Sequence, residues 1–192
     1  DKRNFIQYYI SLLRMNHSVL FIFNSDDLNS RIIKLSIFIY ELSSLITVNA
    51  IFFTDETMHK IYTDKGSYNF IYQLPQTIYS VIISGILNSP IKFLGFSEKN
   101  ILELKEGKIK CINKREFYLI NKLKIKFIFF YVINFSLMIT FWYYVTCFCG
   151  IYRNTQIHLF KDSLISFATS LLTPFIKYLF PGIFRICGLK RK

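Results

Sequence analysis

Hydrophobic positions in this chain fall into long blocks, and the charged residues collect between them. The longest block, Phe127–Tyr152, carries no charged side chain and is closed by Lys126 and Arg153. An α-helix of about 20 apolar residues crosses the ~30 Å hydrocarbon core of a bilayer. The block therefore predicts a membrane span over Phe127–Gly150. Trp142, Tyr143 and Tyr144 lie in its second half, where interfacial aromatics belong.

Three further blocks have spanning length: Ile32–Phe53, Phe70–Leu94 and Leu164–Ile186. The first holds Lys34 near its start, where the ammonium can snorkel. It also holds Glu41 at its middle by residue count, with no basic partner evident at that depth. The second carries Pro75 near its start and Pro90 near its end, the latter a predicted kink. Its Ser80, Ser84 and Gly85 are small enough to let another helix approach. Pro174, Lys177, Pro181 and Gly182 predict that the last span is the least regular.

Before these spans, Phe5–Phe23 is apolar but interrupted by Arg14. Arg at the centre of a span costs about 2.5–3.5 kcal/mol on the insertion scale, so this stretch predicts a helix lying in the headgroup plane. The expected fold class is all-α: a polytopic membrane protein with about four transmembrane helices and an N-terminal interfacial helix. Its parts are an N-terminal interfacial segment (1–31), two spans joined by a short polar loop (32–94), a charged basic loop (95–126), two further spans (127–186) and a basic tail (187–192).

Charge gives this plan a direction. The net charge is +12, and in a soluble chain that would suggest nucleic acid. Here the basic residues gather at block ends, and no groove-reading module accompanies them, so nucleic acid is not an expected partner. With four spans, seventeen of the 24 Lys and Arg fall on the side shared by both termini and the 95–126 loop, and only four fall on the other. Basic loops mark the cytoplasmic side, so both termini are expected in the cytoplasm. Anionic headgroups are the expected contacts of the 95–126 loop and the tail. Other membrane helices, or further copies of the chain, are the remaining candidate partners.

Candidate chemistry is sparse. Glu41 and Lys177 are ionisable groups inside predicted spans, which makes them a possible intramembrane polar site. Cys187, beside the basic tail, is a possible palmitoylation position. Cys147 and Cys149 end the third span without a second pair in reach, and four cysteines build no disulfide framework. His158 and Asp162 are four apart and share a face if helical, but two groups do not close a metal site. No phosphate loop, nucleophile elbow or zinc helix is present, so no cofactor or metal is expected and the reading is not that of an enzyme.

Several strings resemble an uncharacterised multi-pass membrane region found near the C-terminal end of large protist proteins. They are Asn49-Ala50-Ile51-Phe52-Phe53, Thr57-Met58-His59-Lys60-Ile61-Tyr62, Tyr68–Ser80 (YNFIYQLPQTIYS), Ser97–Lys105 (SEKNILELK), Cys147–Lys161 (CFCGIYRNTQIHLFK) and Pro181–Ile186 (PGIFRI). The resemblance covers nearly the whole chain. It implies a membrane module attached to a long upstream extracellular or luminal region, and it implies no activity. Glu41 departs from the aromatic and small residues expected there. Together with a chain that begins at Asp1, the resemblance leads to the expectation of a membrane-anchoring and interaction module of a larger protein. The alternative is a channel or transporter subunit using Glu41 and Lys177.

Overall fold

The computed structural model describes residues 4–24, 28–63, 70–97, 102 and 112–190, without the side chains of 70, 112–116, 154 and 186–190. The described residues form seven α-helices and one short 3-10 turn, with no strand among them. In chain order the helices are α1 (Phe5–Asn16), α2 (Ser18–Phe23), α3 (Arg31–Ile51), α4 (Asp55–Thr63), α5 (Phe70–Gly95), α6 (Ile112–Ile151) and α7 (Gln156–Lys190). Four of them, α3, α5, α6 and α7, are long and apolar enough to cross a membrane. This is the all-α, multi-pass architecture expected from the hydrophobic blocks.

The spans run alternately up and down. At one end the Asn29 side chain accepts a hydrogen bond from the Ser97 amide at 3.0 Å, Phe21 packs on Phe96 and the Lys126 ammonium donates to the Phe96 carbonyl. At the other end Ala50, Phe53, Ile61, Phe148 and Leu159 form one apolar cluster. α3 and α5 make the most extensive pairing, and both touch α6 and α7. Those two helices flank the α3–α5 pair and have little contact with each other beyond their connecting turn, Arg153–Thr155. Against α6 the core is apolar, with Ile33, Ile37, Tyr40, Ile91 and Phe130 buried together.

Several boundaries differ from those read in the sequence. α6 extends back to Ile112, so the final part of the expected 95–126 loop is helix continuous with the third span. At 1.5 Å per residue its 40 residues reach roughly 60 Å, well beyond a hydrocarbon core. α7 starts at Gln156 rather than Leu164, because the turn before it needs only three residues. The Gln156 side-chain amide closes that turn by donating to the Cys149 carbonyl at 2.8 Å. The loop expected after the first span contains α4, whose Thr57 amide is capped by the Thr54 hydroxyl at 3.3 Å. Asp55 and Glu56 occupy its first turn, where the helix dipole favours negative charge.

The helices also run through their prolines: Pro75 and Pro90 lie inside α5, and Pro174 and Pro181 inside α7. The last span, expected to be the least regular, is one continuous helix through both of its prolines. The N-terminal stretch does break, at His17, whose extended backbone separates α1 from α2. Its ring is buried and accepts a hydrogen bond from the Leu20 amide at 3.3 Å, which caps α2. α1 packs along the C-terminal half of α7: Tyr9 donates to the Phe175 carbonyl at 2.9 Å, and the Arg185 guanidinium lies 4.4 Å from the Tyr8 ring centre.

Candidate functional site

The sequence of α5 explains where polarity goes in this bundle. From Ile71 to Pro90 its buried residues are Gln73, Thr77, Ser80, Ser84 and Asn88, and every one is polar. Their spacing of three and four residues puts them on one helical face. The exposed side of the same stretch carries Ile71, Ile78, Ile82 and Ile86. This is the reverse of a soluble amphipathic helix, and lipid as solvent explains it. Apolar side chains gain nothing by hiding from acyl chains, whereas polar groups must find partners inside the protein.

Partners come from α3 and α7. Ser44 donates to the Asn88 side-chain oxygen at 2.8 Å, and Ser166 donates to the Asn49 side-chain oxygen at 3.1 Å. Both pairs are buried. Other hydroxyls return to their own helix, as Thr77 does to the Gln73 carbonyl at 3.1 Å. The buried Ser80 hydroxyl and Gln73 Oε1 have no protein partner among the described residues. Buried polar groups are nearly always satisfied, so this face holds spare hydrogen-bonding capacity.

Glu41 stands at one end of the polar seam, and here the structure corrects the sequence reading. Its carboxylate is paired with the Lys92 ammonium at 2.5 Å, with Glu41 only 12% exposed and Lys92 34%. Residue counting put Glu41 at mid-depth and without a basic partner. However, α3 begins beyond the end of α5: Ile33 and Ile37 already pack against Gly95. Glu41, one helical turn after Ile37, is therefore level with Lys92 rather than with the centre of α5.

Lys34 also differs from expectation. Rather than snorkelling to the surface, it is 1% exposed, donates to the Asn24 carbonyl at 2.6 Å and lies over the Phe21 ring.

Glu41 and Lys177 line one cavity of about 260 Å³ between α3, α5 and α7. Lys92, Asn88, Ser84 and Thr173 line it too. Lys177 is exposed at its rim, 5.8 Å from the Tyr178 ring centre. Lys92, Asn88 and the Gln73–Thr77–Ser84 face were not singled out as site residues from the sequence, although the spacing of three and four could have revealed them.

The remaining candidates stay apart. His158 and Asp162 share a buried face of α7 near the opposite end. No group of three His, Cys, Asp or Glu among the described residues could hold a metal ion. Cys147 is exposed, and neither it nor Cys149 is in a disulfide. Cys187 lies in α7, but its side chain is outside the described residues. Much of the charged 95–126 segment, 98–101 and 103–111, is likewise outside them, as is the tail from 191. Comparison with protein-family models, with curated proteins and with solved structures finds no match.

Proposed function

We propose that this chain is a membrane-anchoring and interaction module of a larger protein. One observation carries the reading: the buried face of α5 is polar while its outer face is apolar. A bundle stapled by interior hydrogen bonds and coated with Ile and Phe is suited to hold a polypeptide in lipid. In this reading α1 and α2 are interfacial, since they pack at the end where Lys34, Lys92 and Lys126 collect. The excess of Lys and Arg on the same side supports cytoplasmic termini. The resemblance to protist C-terminal membrane regions supports attachment to a longer protein.

The test is extraction and labelling. Membranes carrying the chain are washed with alkaline carbonate, and cysteines introduced at Leu102 and Leu189, in a variant with the four native cysteines replaced by serine, are probed with an impermeant maleimide. Retention in the pellet with both positions on the cytoplasmic side is expected. Release into the supernatant would end the anchor reading, and labelling from opposite sides would end the topology.

A second reading, a channel or transporter subunit, is favoured by the cavity that joins Glu41 and Lys177. Ion flux in liposomes that Glu41→Gln abolishes would support it. Flux equal to that of empty liposomes would leave the anchor.

A further inference from the structure

The geometry points to a binding site for an anionic phosphoryl group in the cavity between α3, α5 and α7, held by Lys92 and Lys177. Three observations converge. The first is charge. Among the described residues Glu41 is the only carboxylate lining the cavity and is paired with Lys92, and Lys177 has no carboxylate partner. Two ammonium groups against one carboxylate leave one net positive charge, which matches one phosphodiester. The second is donor chemistry. Phosphate oxygens take charge-assisted hydrogen bonds from ammonium groups, with hydroxyls and amides completing the set. Asn88, whose oxygen is used by Ser44, keeps its amide nitrogen to donate, whereas the Ser84 and Thr173 hydroxyls of the lining already donate to the Val81 and Thr169 carbonyls.

The third observation is position. Lys92 precedes the end of α5 by less than one turn, and Lys126, at the start of the uncharged run of α6, bonds to Phe96 just beyond that end. The cavity thus opens beside Lys92 at the end of the bundle where Lys126 also lies, the end at which this proposal sets the lipid headgroups. At about 260 Å³ the main cavity is below the ~300–1,000 Å³ of pockets for drug-sized ligands. A phosphate with a small substituent fits that size class. The exposed Ile82 and Ile86 on α5 and Leu172 and Ile176 on α7 give acyl chains an apolar surface nearby. The phosphoryl group has two sources, a lipid headgroup or free phosphate.

The test uses the full chain purified in a neutral detergent, with binding read by native mass spectrometry. The probes are dioctanoyl phosphatidylglycerol, dioctanoylglycerol (the same chains without phosphate) and inorganic phosphate. The phosphatidylglycerol should bind and the dioctanoylglycerol should not. Lys177→Gln, an exposed substitution that spares the fold, should weaken the phosphatidylglycerol about tenfold, the equivalent of one charged contact. Lys124→Gln, which removes a cation from the projecting start of α6, should leave it unchanged.

Binding of inorganic phosphate with the same dependence on Lys177, undiminished by omitting lipid, would assign the site to the free anion. Equal losses from Lys177→Gln and Lys124→Gln would reduce the effect to general surface attraction and overturn the proposal. So would equal binding of the phosphatidylglycerol and dioctanoylglycerol. Carbonate extraction of the Lys177→Gln variant reports membrane insertion separately, so failure of the site and failure of the anchor reading are distinguishable.

Discussion

α6 is the most apolar of the four long helices, with a mean hydropathy of 1.7 in its best window, but only 11% of that window is buried against other helices. α3 contains Lys34 and Glu41, has a mean hydropathy of 1.4 and is 56% buried. In a soluble domain the order would be reversed. The contrast shows that apolarity alone does not draw a helix inward here: α6 is left largely to the lipid, while polar and charged positions of α3 and α5 turn to neighbouring helices, because the bilayer offers them no partner. The segment that most clearly announces a membrane protein therefore says least about what the bundle encloses.

The contrast can be broken most decisively at the Glu41–Lys92 pair. Lys92→Met leaves the carboxylate of α3 enclosed and unpaired, and should cost about 3 kcal/mol, the low end for a broken buried pair because Lys92 is partly exposed. Adding Glu41→Gln should restore most of the loss. The measurement is SDS-titrated unfolding of the purified protein in mixed micelles, and a Lys92→Met variant as stable as the parent would remove the pair from the core.

Next in size is Gly95→Val. A Cβ at this position would lie 2.8 Å from Ile37 Cδ1 and 3.1 Å from both Ile33 Cγ2 and Phe130 Cε2. Overpacking of this kind costs about 1–3 kcal/mol, and the same titration reads it. Ser44→Ala, which deletes the bond to Asn88, should cost about 0.6 kcal/mol, the usual worth of an interhelical hydrogen bond in a membrane.

On α6 the effects should nearly vanish. Phe135→Leu, on a side chain 70% exposed, should stay within about 0.5 kcal/mol of the parent. Gly150→Ala, with nothing within 4 Å of the new Cβ, should be neutral or gain a few tenths of a kcal/mol from helix propensity, about what the end of a helix allows. If the α6 substitutions cost as much as those in α3 and α5, then α6 faces protein rather than lipid.

All four long helices were legible in the sequence because an uncharged stretch of spanning length has few alternative uses. Their ends were less so. The start of α6 and the start of α7 are charged or polar, and hydropathy does not distinguish a helix leaving the membrane from a loop. α4 was hidden for the same reason, being short and polar. The site was only half legible. Glu41 and Lys177 stood out as ionisable groups within apolar blocks. Lys92 did not pair with Glu41 on paper, because its level depends on how far α3 overshoots α5, and that is a tertiary quantity. The face Gln73, Thr77, Ser80, Ser84 and Asn88 was written in the spacing, yet Ser80 and Ser84 were read for size instead of for polarity.

The three-residue turn between α6 and α7 joins two helices that scarcely touch, since the α3–α5 pair lies between them. Each of the two rests on its own wall of the α3–α5 pair. The covalent link then acts as a leash, delivering the final helix to a wall that its predecessor does not share. Cutting that leash should leave two pieces able to find each other when made together in one cell.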